Sequence, residues 1–239
     1  MPQIRKVAIT GKMPYDPQPT SLPVFMLFKK ISLLCASGVV ALLASCATTK
    51  PAEPTLSKTD EGYKNPYEPG SYEHFKAEKD YPKTYNVWTN TQKLPVTDQS
   101  NSWLRIDLKA QRALLMNGEE VVMDYPVSTG KSSHPTPPGE YEILEKIADK
   151  HSNKYGRIYD AEGNLVNGDA NAFEDEIPEG GRFQGAPMKY WMRLTWDGVG
   201  HHIGNVKRYP ASHACIRGPS KTMPVVFSKL KVGSKVVVK

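Results

Sequence analysis

Short alternating stretches separated by turn residues decide what this chain can fold into. "WLRIDL" (103–108) puts Leu104, Ile106 and Leu108 on one face of an extended segment and Arg105 and Asp107 on the other, the mark of a half-buried strand. "RALLMNGEEVVMDYPVSTG" (112–130) reads as a hairpin, because Asn117-Gly118 suits a type I′ turn. "GEYEILEKI" (139–147) predicts a further strand, opened by the turn-rich "HPTPPG". "KYWMRLTWDGVGHHIG" (189–204) returns to strand composition, and "SKVVVK" (234–239) closes the chain in the same way. One short helix is expected, capped by Ser220 and running through Leu230, with Pro224 tolerable only in its first turn. Twenty prolines in 239 residues suit extended segments rather than a helical bundle. The prediction over residues 102–239 is a mainly β domain, a sandwich or closed sheet, with one short helix. Residues 148–187 are polar, Gly-rich and too long for a simple connection, so they predict a functional insertion or lid.

The formal net charge of +6 is concentrated at the N-terminus. Residues 1–45 hold five basic residues against one acidic, leaving 26 basic and 24 acidic in the remainder. No basic face survives, which argues against a nucleic-acid partner. "MLFKKISLLCASGVVALLASCATTK" (26–50) has a charged start at Lys29 and Lys30, an apolar core too short to span a bilayer, and a small-residue end. Its Leu43-Ala44-Ser45-Cys46 resembles the bacterial lipobox, which implies cleavage before Cys46 and acylation of that residue. The expected organisation is an upstream extension over 1–25 with translation from Met26, then a lipoprotein signal peptide over 26–45. A lipid-anchored flexible tether follows over 46–101, with some order around Tyr81 to Trp88. The expected location is outside the cytoplasm, on a bacterial outer membrane facing the periplasm, because Ala47 gives no aspartate-type retention signal.

Of three cysteines, Cys35 falls in the signal segment and Cys46 at the lipidation site, which leaves Cys215 without a disulfide partner in an exported protein. A buried small hydrophobe is the ordinary reading of a lone cysteine, and zinc held by His201, His202, His213 and Cys215 is the sharper rival. Adjacent histidines on a strand face opposite sides, so at most three of those ligands converge. The nucleophile reading rests on "SHACIR" (212–217). On an extended segment His213 and Cys215 project to one side, where an imidazole favours the thiolate. Ser212 is expected to orient the imidazole, the N–H groups of Ala214 and Cys215 to meet developing negative charge, and Arg217 to hold a substrate carboxylate. His74, His134 and His151 read as surface residues, Trp191 and Trp196 as core or cleft walls.

"PASHACIRGP" (210–219) is similar to the signature of the L,D-transpeptidases, the YkuD-type cysteine acyltransferases of bacterial cell walls. "YPVSTGKSSHPTPPGEYEI" (125–143) and "MRLTWDGVGHHIG" (192–204) resemble that family's strand-turn-strand element and the segment bearing its second histidine. The resemblance covers about residues 102–239 and implies the YkuD-like β fold with a long insertion. It implies that Cys215 attacks the third residue of a peptidoglycan tetrapeptide stem, releases D-alanine and passes the acyl group to a side-chain amine of a second stem, giving a 3→3 cross-link. His213 would then act as base and acid, and His202 and Gly204 would line the substrate and oxyanion region. No metal or organic cofactor is implied. The same acyl-enzyme also serves an L,D-carboxypeptidase or a protein-to-peptidoglycan ligase, and an inactive wall-binding module is the reading from another class. Two departures stand out: Ala214 replaces the usual glycine, and Gly218 a usual leucine.

Overall fold

The computed structural model describes residues 56–239. The upstream extension, the signal segment and Cys46 lie outside the described residues.

The predicted hairpin forms the centre of the larger sheet. β2 (Ser102–Asp107), β3 (Arg112–Asn117) and β4 (Glu120–Pro126) pair antiparallel in sequence order. Asn117 pairs with Glu120, so the tight turn is Gly118-Glu119 rather than the expected Asn117-Gly118. Of the two, only Gly118 takes a positive φ, at 56°, which is not type I′ geometry. β13 (Lys235–Val238) adds parallel to β2, β5 (Gly139–Glu142) adds antiparallel to β13, and the two-residue β1 (Trp88–Thr89) closes the other edge.

The expected strand over 139–147 is two strands. It breaks at Ile143-Leu144, so that β6 (Glu145–Ile147) joins a second sheet with β10 (Trp191–Arg193), β11 (Gly200–Ile203) and β12 (Ile216–Gly218). The break is needed because one chain supplies both layers, and Ile143 turns into the core between them. Leu104, Ile106, Leu115 and Val236 from one sheet meet Met192 and Ile216 from the other, with Ile143 and Leu194, just past β10, among them. The helix α2 (Met223–Lys229) starts after Thr222, not Ser220, keeps Pro224 in its first turn, and buries Met223 and Val226 in the same core.

The segment expected to be a flexible tether is folded from residue 57 onward. It carries α1 (Tyr72–Ala77), capped by the Ser71 hydroxyl, then β1 and a 3₁₀ turn at Leu94–Val96. The reason is a buried charge that the segment seals. Arg112 and Asp124 pair at 2.6 Å, both fully buried. Tyr72 and Tyr81 donate their hydroxyls to the second carboxylate oxygen at 2.9 and 3.2 Å. The guanidinium also donates to the carbonyls of Thr84 and Asn86 at 2.9 and 3.1 Å, and lies against the rings of Phe75 and Tyr81. A buried ion pair persists only when its remaining donors and acceptors are met, and these residues meet them. The signal lay in the spacing of Tyr72, Phe75, Tyr81 and Trp88 within a polar stretch.

Residues 148–187 form a three-stranded antiparallel sheet, β8-β7-β9, from β7 (His151–Tyr159), β8 (Leu165–Asn171) and β9 (Arg182–Pro187).

Candidate active site

The segment carrying Ser212 to Arg217 is held by a strap running from Val127 to Thr136. Ser128 and Arg217 exchange backbone hydrogen bonds at 3.0 and 2.8 Å, Thr129 accepts from Ala211 and Ser212, and Lys131 donates to Ser212. The Thr136 hydroxyl donates to the Ala214 carbonyl at 2.7 Å. Gly130 lets the two chains approach: a Cβ there would lie 2.1 Å from the His134 carbonyl and 2.8 Å from the Ala214 Cα. This contact accounts for the "VSTG" stretch and its glycine.

His213 and Cys215 share a cleft, but not by strand alternation. The backbone bends at His213 and Ala214, and Ala214 takes φ 72°, in the left-handed region that favours glycine. Both side chains are half-buried and both line two adjoining cavities, of about 680 and 560 Å³. The larger cavity is walled by Arg157, Lys189, His202, Arg217 and the insertion's Tyr155. The smaller is walled by His134, Lys154, Arg193, Trp196 and Asp197, again with Tyr155.

Burial works against the expected ionised pair. The Cys215 thiol faces the Gly198 carbonyl at 3.6 Å. Burial pushes the thiol up, opposed by the Gly200 backbone and by the charges of Arg217 and Arg193. Burial pushes His213 down, helped by Lys131, His134 and Arg217 and opposed by Asp169. Both shifts favour a neutral thiol beside a neutral imidazole. The His213 ring stacks on Tyr155 at 4.5 Å and meets the edge of His134 at 4.9 Å, and among the described residues no hydrogen bond reaches its nitrogens. His134 is therefore an exposed residue of the cleft, and Tyr155 is a site residue with no sequence signal beyond its place in the long insertion.

Ser212 does not orient the imidazole here. Its hydroxyl donates to the Cys215 carbonyl, and its own carbonyl accepts from Lys131, so it closes the loop around the bend. Gly204 lines the cavity, but its N–H is taken by Gly218 at 3.1 Å, which removes it as an oxyanion donor. A Cβ on Gly204 would meet the Arg217 side chain at 2.7 Å, so the glycine makes room for the arginine stem. No turn, loop or side-chain hydrogen bond among the described residues takes the N–H of Ala214 or Cys215.

The two adjacent histidines do face opposite sides of β11. His201 is sealed in the core, donating from Nδ1 to Ile216 at 2.8 Å and accepting at Nε2 from the Tyr125 hydroxyl at 2.9 Å. Burial pushes it down to about 4. His202 pairs in register with Arg217 on β12 and lines the larger cavity. Its Nδ1 donates to the Ile203 carbonyl at 2.7 Å, which leaves the Nε2 lone pair free. Burial and the Arg217 charge push it down to about 4, so it is a neutral acceptor at neutral pH. The opposed rings take His201 out of any shared ligand set with Cys215.

A search of curated proteins returned no match. Among solved structures the chain is similar to an L,D-transpeptidase from Mycobacterium smegmatis, at 21% identity and TM-score 0.45 over 58% of each chain. It is also similar to a mutant Enterococcus faecium L,D-transpeptidase, at 22% identity and TM-score 0.42 over 59% of this chain and 50% of that one. A third, L,D-transpeptidase 1 of Mycobacterium tuberculosis, matches at 25% identity and TM-score 0.40, over 58% of this chain and 61% of the other. This chain thus spans between half and three fifths of the length of each. The family model for the L,D-transpeptidase catalytic domain, YkuD, matches residues 101–238, from the start of β2 to the end of β13 with the strap, the insertion and the Ser212–Arg217 bend between them. The chain belongs to the YkuD family of L,D-transpeptidase catalytic domains.

Proposed function

We propose that this domain is a cysteine acyltransferase that joins peptidoglycan stem peptides. Cys215 attacks the carbonyl of the third residue of a tetrapeptide stem and passes its proton to His213, which then protonates the departing D-alanine amine. The resulting thioester is taken by the side-chain amine of a second stem, giving a 3→3 cross-link. The N–H groups of Ala214 and Cys215 meet the developing oxyanion. Arg217 holds a donor carboxylate, and neutral His202 accepts a hydrogen bond from the donor. Burial disfavours both the thiolate and the imidazolium, which suits a proton that moves as the attack occurs rather than before it. One observation carries the reading: Cys215 and His213 line both cavities, so two peptides can approach one sulfur from two sides.

The test is to incubate the protein with defined muropeptides and follow products and intact mass. Dimers and an acyl adduct on Cys215 are expected, and both should vanish in Cys215→Ala. A Cys215→Ala protein with wild-type product yield overturns the nucleophile. Shortened monomers alone would make the domain a carboxypeptidase, and binding to wall sacculi with no adduct would make it an inactive module. We further propose export and lipidation at Cys46, which intact-mass analysis of membrane-extracted protein reads directly. An unmodified Cys46 there ends that proposal.

A further inference from the structure

The turn between β10 and β11 hangs over the nucleophile. Val199 donates to the Thr195 hydroxyl at 3.0 Å and Gly198 to the Thr195 carbonyl at 3.3 Å, so the turn is braced internally. The Gly198 carbonyl at its end is the atom that touches the Cys215 thiol. At its tip stand Trp196 and Asp197. Trp196 is 76% exposed, with the Arg193 guanidinium over its ring at 5.6 Å. Asp197 is exposed and forms no hydrogen bond or ion pair among the described residues. Of all the residues lining the two cavities that meet at Cys215, Asp197 alone is acidic. The larger cavity offers Arg157, Lys189 and Arg217 and the smaller Lys150, Lys154 and Arg193, so Asp197 is the one carboxylate in the lining that can offset a cation.

We propose that this turn reads the acyl acceptor: Asp197 holds the acceptor's side-chain ammonium and Trp196 packs against the carbon chain that bears it. The inference rests on the acyl-transfer reading above. It places the acceptor at the turn, where the single carboxylate of the two cavities stands, and the donor in the larger cavity, whose lining holds no acid. In the transfer the ammonium gives one proton to solvent, and the neutral amine attacks the thioester. The C–N bond forms as the C–S bond breaks. A second amine proton passes through His213 to the leaving thiolate, the third remains on the new amide, and nothing is oxidised or reduced.

The first measurement is the ratio of cross-linked dimer to hydrolysed tripeptide, which does not depend on how much acyl-enzyme forms. Asp197→Asn should lower that ratio by about fivefold, as for loss of one partly exposed ion pair, and Asp197→Glu should restore most of it. Trp196→Ala should lower it in the same direction. The second measurement needs no turnover: binding of an acceptor stem to Cys215→Ser protein, with its side-chain amine free or acetylated. Asp197→Asn should weaken the free-amine stem by about fivefold and leave the acetylated stem alone. If wild-type protein makes no adduct but this amine-dependent difference persists, the acyl-transfer reading falls and the ammonium site stands. If Asp197→Asn moves neither the product ratio nor the free-amine binding by more than about twofold, the proposal is overturned.

Discussion

Two parts of the molecule look alike in sequence and behave oppositely in the fold. Residues 57–100 and 148–187 are both polar, with no sustained apolar period. The first wraps the back of β3 and β4 and closes a fully buried Arg112–Asp124 pair with Tyr72, Tyr81, and the carbonyls of Thr84 and Asn86. The second builds its own three-stranded sheet, buries Ile158 and Ala170, and leaves Phe173, Leu165 and Val166 open to solvent. It meets the Ser212–Arg217 segment through Tyr155 on His213. A polar segment locked by a desolvated charge belongs to the stability of the domain. One that touches a half-buried imidazole is placed to act on the chemistry proposed for it.

The sharpest way to break this contrast is to remove the charge under the first segment. Asp124→Ala leaves Arg112 buried and unpaired and should cost about 3–5 kcal/mol in urea unfolding, whereas Phe173→Ala in the insertion should stay within about 0.5 kcal/mol. Equal losses at the two sites would erase the distinction.

A smaller effect, on chemistry and not on folding, is expected from Tyr155→Ala. Burial is the largest cause holding His213 below its ordinary value, so the neutral base persists below pH 6.5 and the acid limb of the rate profile lies there. Removing the ring exposes the imidazole, and the acid limb should move up toward the ordinary histidine range. Lys131, His134 and Arg217 continue to oppose the move and Asp169 to favour it. An NMR titration of His213 reads the same shift; a midpoint unchanged by the substitution would show that the stacking does not set the imidazole's environment.

The smallest effect is expected at the bend itself. Ala214 carries a Cβ at φ 72°, and Ala214→Gly should stabilise the domain by roughly 0.5–1 kcal/mol, relief of the left-handed strain outweighing the extra freedom of the unfolded chain. A loss of stability on this substitution would mean that the methyl packs usefully and that the strain argument fails.

The same contrast shows where sequence reading stopped. Alternation located β2 because one of its faces is buried and the other is not, whereas β3 and β4 are buried on both faces and were legible only through the hairpin signal at Asn117-Gly118. The opposed faces of His201 and His202 followed from strand geometry alone. Some order around Tyr81 to Trp88 was legible, but the helix at Tyr72–Ala77 was not, because its cause lies on other strands, at Arg112 and Asp124. Ser212 has a different partner from the expected imidazole for a similar reason: the bend at Ala214 turns its hydroxyl to the Cys215 carbonyl. The hint of that bend was the glycine usual at this position in the resembled signature, and Ala214 takes a positive φ there.

By itself, the order of residues determined a mainly β domain and put a thiol two positions after an imidazole, because side-chain periodicity and motif spacing are local properties of a chain. Only the folded chain decided that burial disfavours charge on both members of the pair, that Tyr155 stacks on the imidazole, that Asp197 lines a cavity with the sulfur and that a polar leader is part of the domain. Each of these depends on desolvation and on charges brought close from distant positions, and both arise only when the layers pack.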